Sequence, residues 1–140
     1  MKIYELYPEV AGSIDESVIV NVASRPITIS SMHYELDGWL GDDLLTEAGY
    51  FLVTESLATG LVNTELSGFT VKDAIVTKSE RFEEMYPDRT LPEFKWLIIE
   101  GQSNVDDFWF SKAAMKLNVT ERGLSFLKKY QIANCDIEEI

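Results

Sequence analysis

Leu52-Val53-Thr54-Glu55, followed by Leu57 and Leu61, and Leu117-Asn118-Val119-Thr120-Glu121, followed by Leu124 and Leu127, spell one structural phrase twice. In each, an extended run ends on Val-Thr-Glu. The threonine hydroxyl is placed to accept from a free amide at a helix start, and the glutamate sets a carboxylate at the positive end of the helix dipole. The leucines that follow fall one turn apart on a single helix face. Extended structure then resumes, from Phe69 to Thr77 in the first copy and from Ala133 to Glu138 in the second, where Ala133, Cys135 and Ile137 alternate toward a core. The phrase reads as strand, threonine-capped helix, strand. Solenoids need about three or more repeats, so two copies read as internal pseudosymmetry in one α+β domain covering residues 1–140. That domain is expected to hold a mixed β-sheet with a few short helices, and no linker or low-complexity tract divides it.

Outward from the repeats, Ile3 to Tyr7 reads as a strand, and Val18, Val20 and Val22 alternate as a second one that Pro26 ends or edges. Ile27 and Ile29 continue the alternation. Asp37-Gly38-Trp39-Leu40-Gly41-Asp42-Asp43-Leu44-Leu45 reads as a glycine-punctuated loop entering a short helix, with Asp42 or Asp43 as N-cap. Tyr50 to Val53 is a short buried strand, and Gly68 closes the turn after the first repeat's helix. Ser79 or Glu80 opens a short helix to Tyr86, and Pro87 to Pro92 form a rigid connection. Phe94 to Glu100 is the clearest strand. Phe94, Trp96 and Ile98 take one face and Leu97 and Ile99 the other, which predicts a central position buried on both sides.

Charge is distributed unevenly. The 140 residues carry 24 acids and 12 bases, a formal charge of −12. Residues 1–71 hold eleven of the acids and only Lys2 and Arg25 as bases, a net −9, which leaves −3 for the remainder. Between Arg25 and Lys72 no base occurs, while seven carboxylates run from Glu35 to Glu65. Such a surface repels a nucleic-acid backbone and attracts a basic protein. No apolar run approaches the ~20 residues of a membrane-spanning helix, and Glu5 and Glu9 interrupt the place of a signal-peptide core. The expectation is a cytoplasmic protein without membrane association. The lone Cys135 fits a reducing compartment.

Motifs that carry chemistry are scarce. The chain has no GxGxxG after a strand and no GxxxxGK[ST], HExxH, CxxC or GxSxG. His33 is the only histidine and is read as structural or surface. Cys135 is read as an inert core thiol. Asp42-Asp43 and Asp106-Asp107 could in principle serve a divalent cation or an acid/base pair. Adjacent carboxylates usually point apart, so a helix start and a polar turn before Phe108-Trp109-Phe110 are the simpler readings. Trp39, between glycines in the most acidic stretch, has the character of an interface anchor.

Gly38-Trp39-Leu40-Gly41-Asp42-Asp43-Leu44-Leu45, Phe51-Leu52-Val53-Thr54-Glu55, Tyr86-Pro87-Asp88-Arg89 with Pro92 and Trp96, Asp106-Asp107-Phe108, Val119-Thr120-Glu121 and Asn134-Cys135-Asp136 occur in that order. The series resembles small bacterial immunity proteins encoded beside polymorphic or contact-dependent toxins. That family was once catalogued as a domain of unknown function, and a strand-(Ser/Thr)-Glu-helix unit recurs in it. The resemblance spans about residues 37 to 138 and leaves the N-terminal strands of residues 1–36 outside it. It implies a non-catalytic protein that binds and blocks one cognate toxin. Family members vary at the toxin-facing surface, so no contact residue carries over.

Together with the charge, the resemblance sets the expectation of a steric and electrostatic plug for a basic toxin cleft. The expected toxin-binding residues are Glu35, Asp37, Asp42, Asp43 and Glu47 as charge and Trp39 as apolar anchor, with no catalytic residue, metal or cofactor. Two alternatives stay open: a small enzyme or divalent-metal-binding protein using the acidic pairs, and a homo-oligomeric scaffold.

Overall fold

A computed structural model describes residues 2–24 and 26–140 of the chain. Its elements begin with β1 (Ile3–Tyr7), β2 (Gly12–Ile14), a 3-10 turn at Glu16–Val18, β3 (Ile19–Asn21), β4 (Thr28–Ile29) and β5 (His33–Leu36). The first repeat follows as β6 (Leu44–Glu47), β7 (Tyr50–Thr54), α1 (Glu55–Val62) and β8 (Phe69–Asp73). Next come β9 (Ile75–Lys78), α2 (Glu80–Met85) and β10 (Phe94–Ile99). The second repeat closes the chain with β11 (Phe108–Ser111), β12 (Lys116–Thr120), α3 (Glu121–Leu127) and β13 (Asp136–Glu139). Strands make up 40% of the structure and helices 17%, the α+β class the sequence implies, with the strands divided among four small sheets.

Both repeats start their helices as expected. The Thr54 hydroxyl accepts from the Leu57 amide at 3.4 Å, and the Thr120 hydroxyl from the Gly123 amide at 3.2 Å. Helices of eight and seven residues fall below the ~12–15 residues that stand alone in water, so packing holds them.

The strands that flank each repeat helix are parallel but do not touch. β10 lies between β7 and β8, antiparallel to both, and β1 lies in the same way between β12 and β13. Each inserted strand comes from the other half of the chain, so the two repeats exchange their central strands. Register then makes equivalent residues meet in one core: Leu6 and Leu97, Leu44 and Phe108, Phe51 and Leu117, Val53 and Val119. Ala58 with Leu124 and Leu61 with Leu127 complete it from the helices. Fully burying a side chain of this size stabilises by about 1.5–3 kcal/mol. Neither repeat has a complete sheet without the other's strand.

A second core lies on the opposite face of the β6-β7-β10-β8 sheet. Leu45, Leu52 and Phe94 point there and meet Tyr34 and Leu36 of β5, Ile14 of β2 and Phe82 of α2. β10 is therefore central and lies between two cores, Leu97 facing one and Phe94 the other. β5 carries the only parallel strand pairing among the described residues, with β9, and α2 begins at Ser79, whose hydroxyl accepts from the Phe82 amide.

Four local expectations are corrected. Leu44-Leu45 opens a strand, not a helix: its two side chains face different cores, and Ala48 and Gly49, with φ of 52° and 88°, turn β6 tightly into β7. The alternating valines end in a two-stranded ribbon of β3 and β4 that leaves Val20 and Val22 exposed, since no sheet covers them. Arg25 lies outside the described residues. Phe69 to Thr77 divides into β8 and β9, which belong to different sheets. Ala133 lies in a turn before the strand and is exposed, and Ile137 is exposed because β13 is an edge strand, with β1 as its one neighbour.

Candidate functional site

The paired aspartates hold the crossing of the two repeats. Asp43 precedes β6, and its Oδ1 accepts from the Thr54 hydroxyl at 2.7 Å while Oδ2 accepts from the Gln131 amide at 2.7 Å. Asp107 precedes β11 and does the same with the Thr120 hydroxyl at 2.7 Å and the Ser67 amide at 3.1 Å. Each carboxylate thus steadies the cap of its own helix and clasps the chain leaving the other helix. Arg122 adds two bonds of 2.8 Å to Asp107. That guanidinium, helped by Thr120 and Ser67 against the effect of burial, holds the Asp107 carboxyl down at about 2. The neighbouring Asp42 is 0% exposed and accepts from the Asn134 amide and side chain, and Asp106 accepts from the Gln102 amide. All four carboxylates therefore already hold protein donors, and among the described residues no group of three or more His, Cys, Asp or Glu is arranged to hold a metal ion.

This arrangement redraws the expected contact surface. Asp42 cannot present charge to a partner, because a carboxylate sealed from water and bonded twice to Asn134 has no outward face. Asp43 is half-buried, with both oxygens engaged in its clasp. Trp39 is not a free loop anchor either. Its indole N–H donates to the Asp42 carbonyl at 2.9 Å, its ring meets Phe94 edge-on, and the Arg89 guanidinium lies 5.0 Å from its centroid. Asp37 is exposed after β5, Glu35 is half-buried on β5, and Glu47 is half-buried at the β6 turn with Oε1 accepting from the Ala48 amide.

Of these six residues, Asp37 and Trp39 are brought together in one concave site. A cleft of about 390 Å³ runs between the Asp37–Leu40 loop and α2, with Glu9 and Val10 on one side and Arg81, Met85 and Tyr86 on the other. Glu35, Asp42, Asp43 and Glu47 lie outside it. Glu9, Val10, Leu40, Met85 and Tyr86 were not legible as a site, for they come from three separated stretches without a shared motif. Glu9 is the chemically distinctive member. It is 5% exposed, its Oε2 accepts from the Leu40 amide at 2.8 Å, and burial, reinforced by the nearby Asp42 charge, raises its pKa.

Cys135 is half-buried against the first core, and burial pushes its thiol up to about 12, which keeps it protonated and unreactive at neutral pH. The His33 ring sits on β5 near Thr77 and 4.0 Å from the Asp15 carboxylate, without a second histidine in the chain. No helix of the described residues is long and apolar enough to cross a membrane. Compared with models of known protein families, with curated proteins and with solved structures, the chain matches none.

Proposed function

We propose that this protein is a cytoplasmic, non-catalytic inhibitor of a basic bacterial toxin domain, an immunity protein that blocks its target by charge and bulk. The observation that carries the reading is unpaired acidity. Among the described residues, none of Glu35, Asp37, Glu47, Glu55 and Glu65 has a Lys or Arg nitrogen within 4.0 Å. Lys95 instead holds Asp73 and Glu93, and Arg122 holds Asp107, all within the C-terminal half. Asp42 and Asp43 are engaged inside the fold and Glu65 lies near Arg122, which leaves Glu35, Asp37, Glu47 and Glu55 as the carboxylates of this stretch without a basic neighbour. A field of this sign steers a basic partner into contact and occupies the positions where its substrate phosphates would lie. The likeness of residues 37 to 138 to immunity proteins supports the same reading.

The test is charge reversal at the accessible acids. Glu35→Lys, Asp37→Lys and Glu47→Lys combined are expected to slow association with the captured partner by about tenfold or more at low salt. The variant should also flatten the dependence of the association rate on ionic strength, which stopped-flow fluorescence measures. An unchanged rate and salt slope would remove this surface from the interface.

A further inference from the structure

β13 is tied at both ends and open along one side. Before the strand, Asn134 donates to the Asp42 carboxylate through its amide at 2.8 Å and its side chain at 3.0 Å; at the far end, the Ile140 amide donates to the Ile3 carbonyl at 2.9 Å. That last bond sets the phase of the ladder. Antiparallel pairs alternate between bonded and non-bonded, so Glu138 and Asp136 bond to Glu5 and Tyr7 of β1, and the N–H and C=O of Ile137 and Glu139 point away from it. On that side no further strand pairs with β13 among the described residues. The register with β1 is unbroken and the strand holds no proline, so the free groups form a regular template.

The side chains along this template are acidic and accessible. All of Asp136, Ile137, Glu138 and Glu139 are exposed, and among the described residues none of the three carboxylates has a Lys or Arg nitrogen within 4.0 Å. Lys116 of the same sheet is held by Glu5 at 3.5 Å. Asp136 and Glu138 share one face of the strand and Ile137 takes the other. An extended segment with Lys or Arg at alternate positions matches both the backbone and the charge. Its bases would lie opposite Asp136 and Glu138, the apolar residue between them opposite Ile137, and its main chain would pair with Ile137 and Glu139. A second copy of β13 would instead set carboxylates against carboxylates, and like charges directly opposite destabilise a pair. Because the edge is already held at both ends, little ordering of this chain opposes the addition.

We propose that the open edge of β13 receives an extended basic segment of a protein partner as an added strand. That this partner is the inhibited toxin rests on the function proposed above; the preference for a basic strand rests on the edge itself.

The experiment has two arms. In the first, ¹⁵N-labelled protein is titrated with an acetylated heptapeptide that alternates lysine with valine, with its glutamate counterpart, and with the lysine peptide N-methylated at its valines. At millimolar concentration the lysine peptide is expected to slow hydrogen exchange at the Ile137 and Glu139 amides by about fivefold or more. Its affinity should exceed that of either other peptide by about fivefold and fall about fivefold when Asp136→Lys and Glu138→Lys are combined. Equal affinity for the N-methylated peptide would mean adsorption by charge without strand pairing, and equal affinity for the glutamate peptide would mean pairing without charge selection. Either result overturns the proposal, as does an absence of binding. A dimer seen by light scattering that dissociates in the double variant assigns the edge to a second copy and also overturns it. The second arm measures the affinity of the double variant for the captured partner. An unchanged affinity overturns the edge proposal and leaves the inhibitor reading standing. Protection by the lysine peptide with no partner captured sustains the edge site and removes the inhibitor reading.

Discussion

Asp107→Asn is expected to lower the unfolding free energy at neutral pH by about 2–4 kcal/mol, with a loss that shrinks as the pH falls toward 2. The wild-type carboxylate takes four donors: the Ser67 amide, the Thr120 hydroxyl, and Nε and Nη2 of Arg122. Asparagine keeps one acceptor oxygen and turns an amide group, itself a donor, toward one of those donors. The pH dependence follows from the sign of the shift. The folded pKa of about 2 lies below the ordinary 3.8, so the stabilisation is complete above the ordinary value and lost as pH falls through the folded one. A shift of this size corresponds to about 2 kcal/mol. Glu9 and Glu47 act in the opposite sense. Burial raises both above the ordinary 4.5, so their contribution is present below that value and declines as pH rises through the folded pKa. Urea unfolding of both proteins at pH 7 and near pH 2 separates the effects. A loss of the same size at both pH values would mean that the clasp does not act through its charge.

Gly68→Ala is expected to cost more than about 4 kcal/mol and to leave little folded protein at 37 °C. Gly68 follows Ser67, the residue clasped by Asp107, at the point where the first repeat passes the start of β11. Its φ is +103°, and a Cβ there would stand 2.1 Å from the Phe108 carbonyl oxygen and 3.0 Å from the Asp106 Cβ. The first neighbour is backbone of a buried strand and cannot yield without opening the crossing. The Ser67 carbonyl accepts from the amides of Asp107 and Phe108 there, so the damage would spread to the clasp. Gly38→Ala is the control. Its added methyl would meet nothing nearer than Tyr86 at 3.9 Å, and a change within about 0.5 kcal/mol is expected. Thermal unfolding of the two variants checks the contrast, and similar losses in both would contradict the tight crossing.

Features whose causes lie within a few residues were readable before the structure. The Thr54 and Thr120 caps depend on an amide three residues away, and β10 announced itself by apolar residues on both faces. Features whose partners are distant were not. The exchange of β1 and β10 between repeats depends on pairing across most of the chain, which periodicity does not encode. Asp43 resembles a helix N-cap because the same short carboxylate suits both roles; what decides is Gln131, 88 residues on. Val18 to Val22 alternate as a strand should, but alternation does not specify the sheet that would bury them. Glu9 is not legible as a site residue in the sequence because Leu40, whose amide fixes it, is 31 positions away.

The central claim is that the unpaired acidity of Glu35, Asp37, Glu47 and Glu55 serves to engage a basic partner. Its most direct test is capture of tagged protein with bound material from a lysate of the cells that produce it, washed in steps of rising salt. Mass spectrometry should then find one stoichiometric partner with a basic domain that is released as salt rises. Once purified, that domain should lose its toxic activity when the protein is added back. If nothing is retained at low salt, or if the retained protein keeps full activity in the presence of a molar excess, the inhibitor account is contradicted.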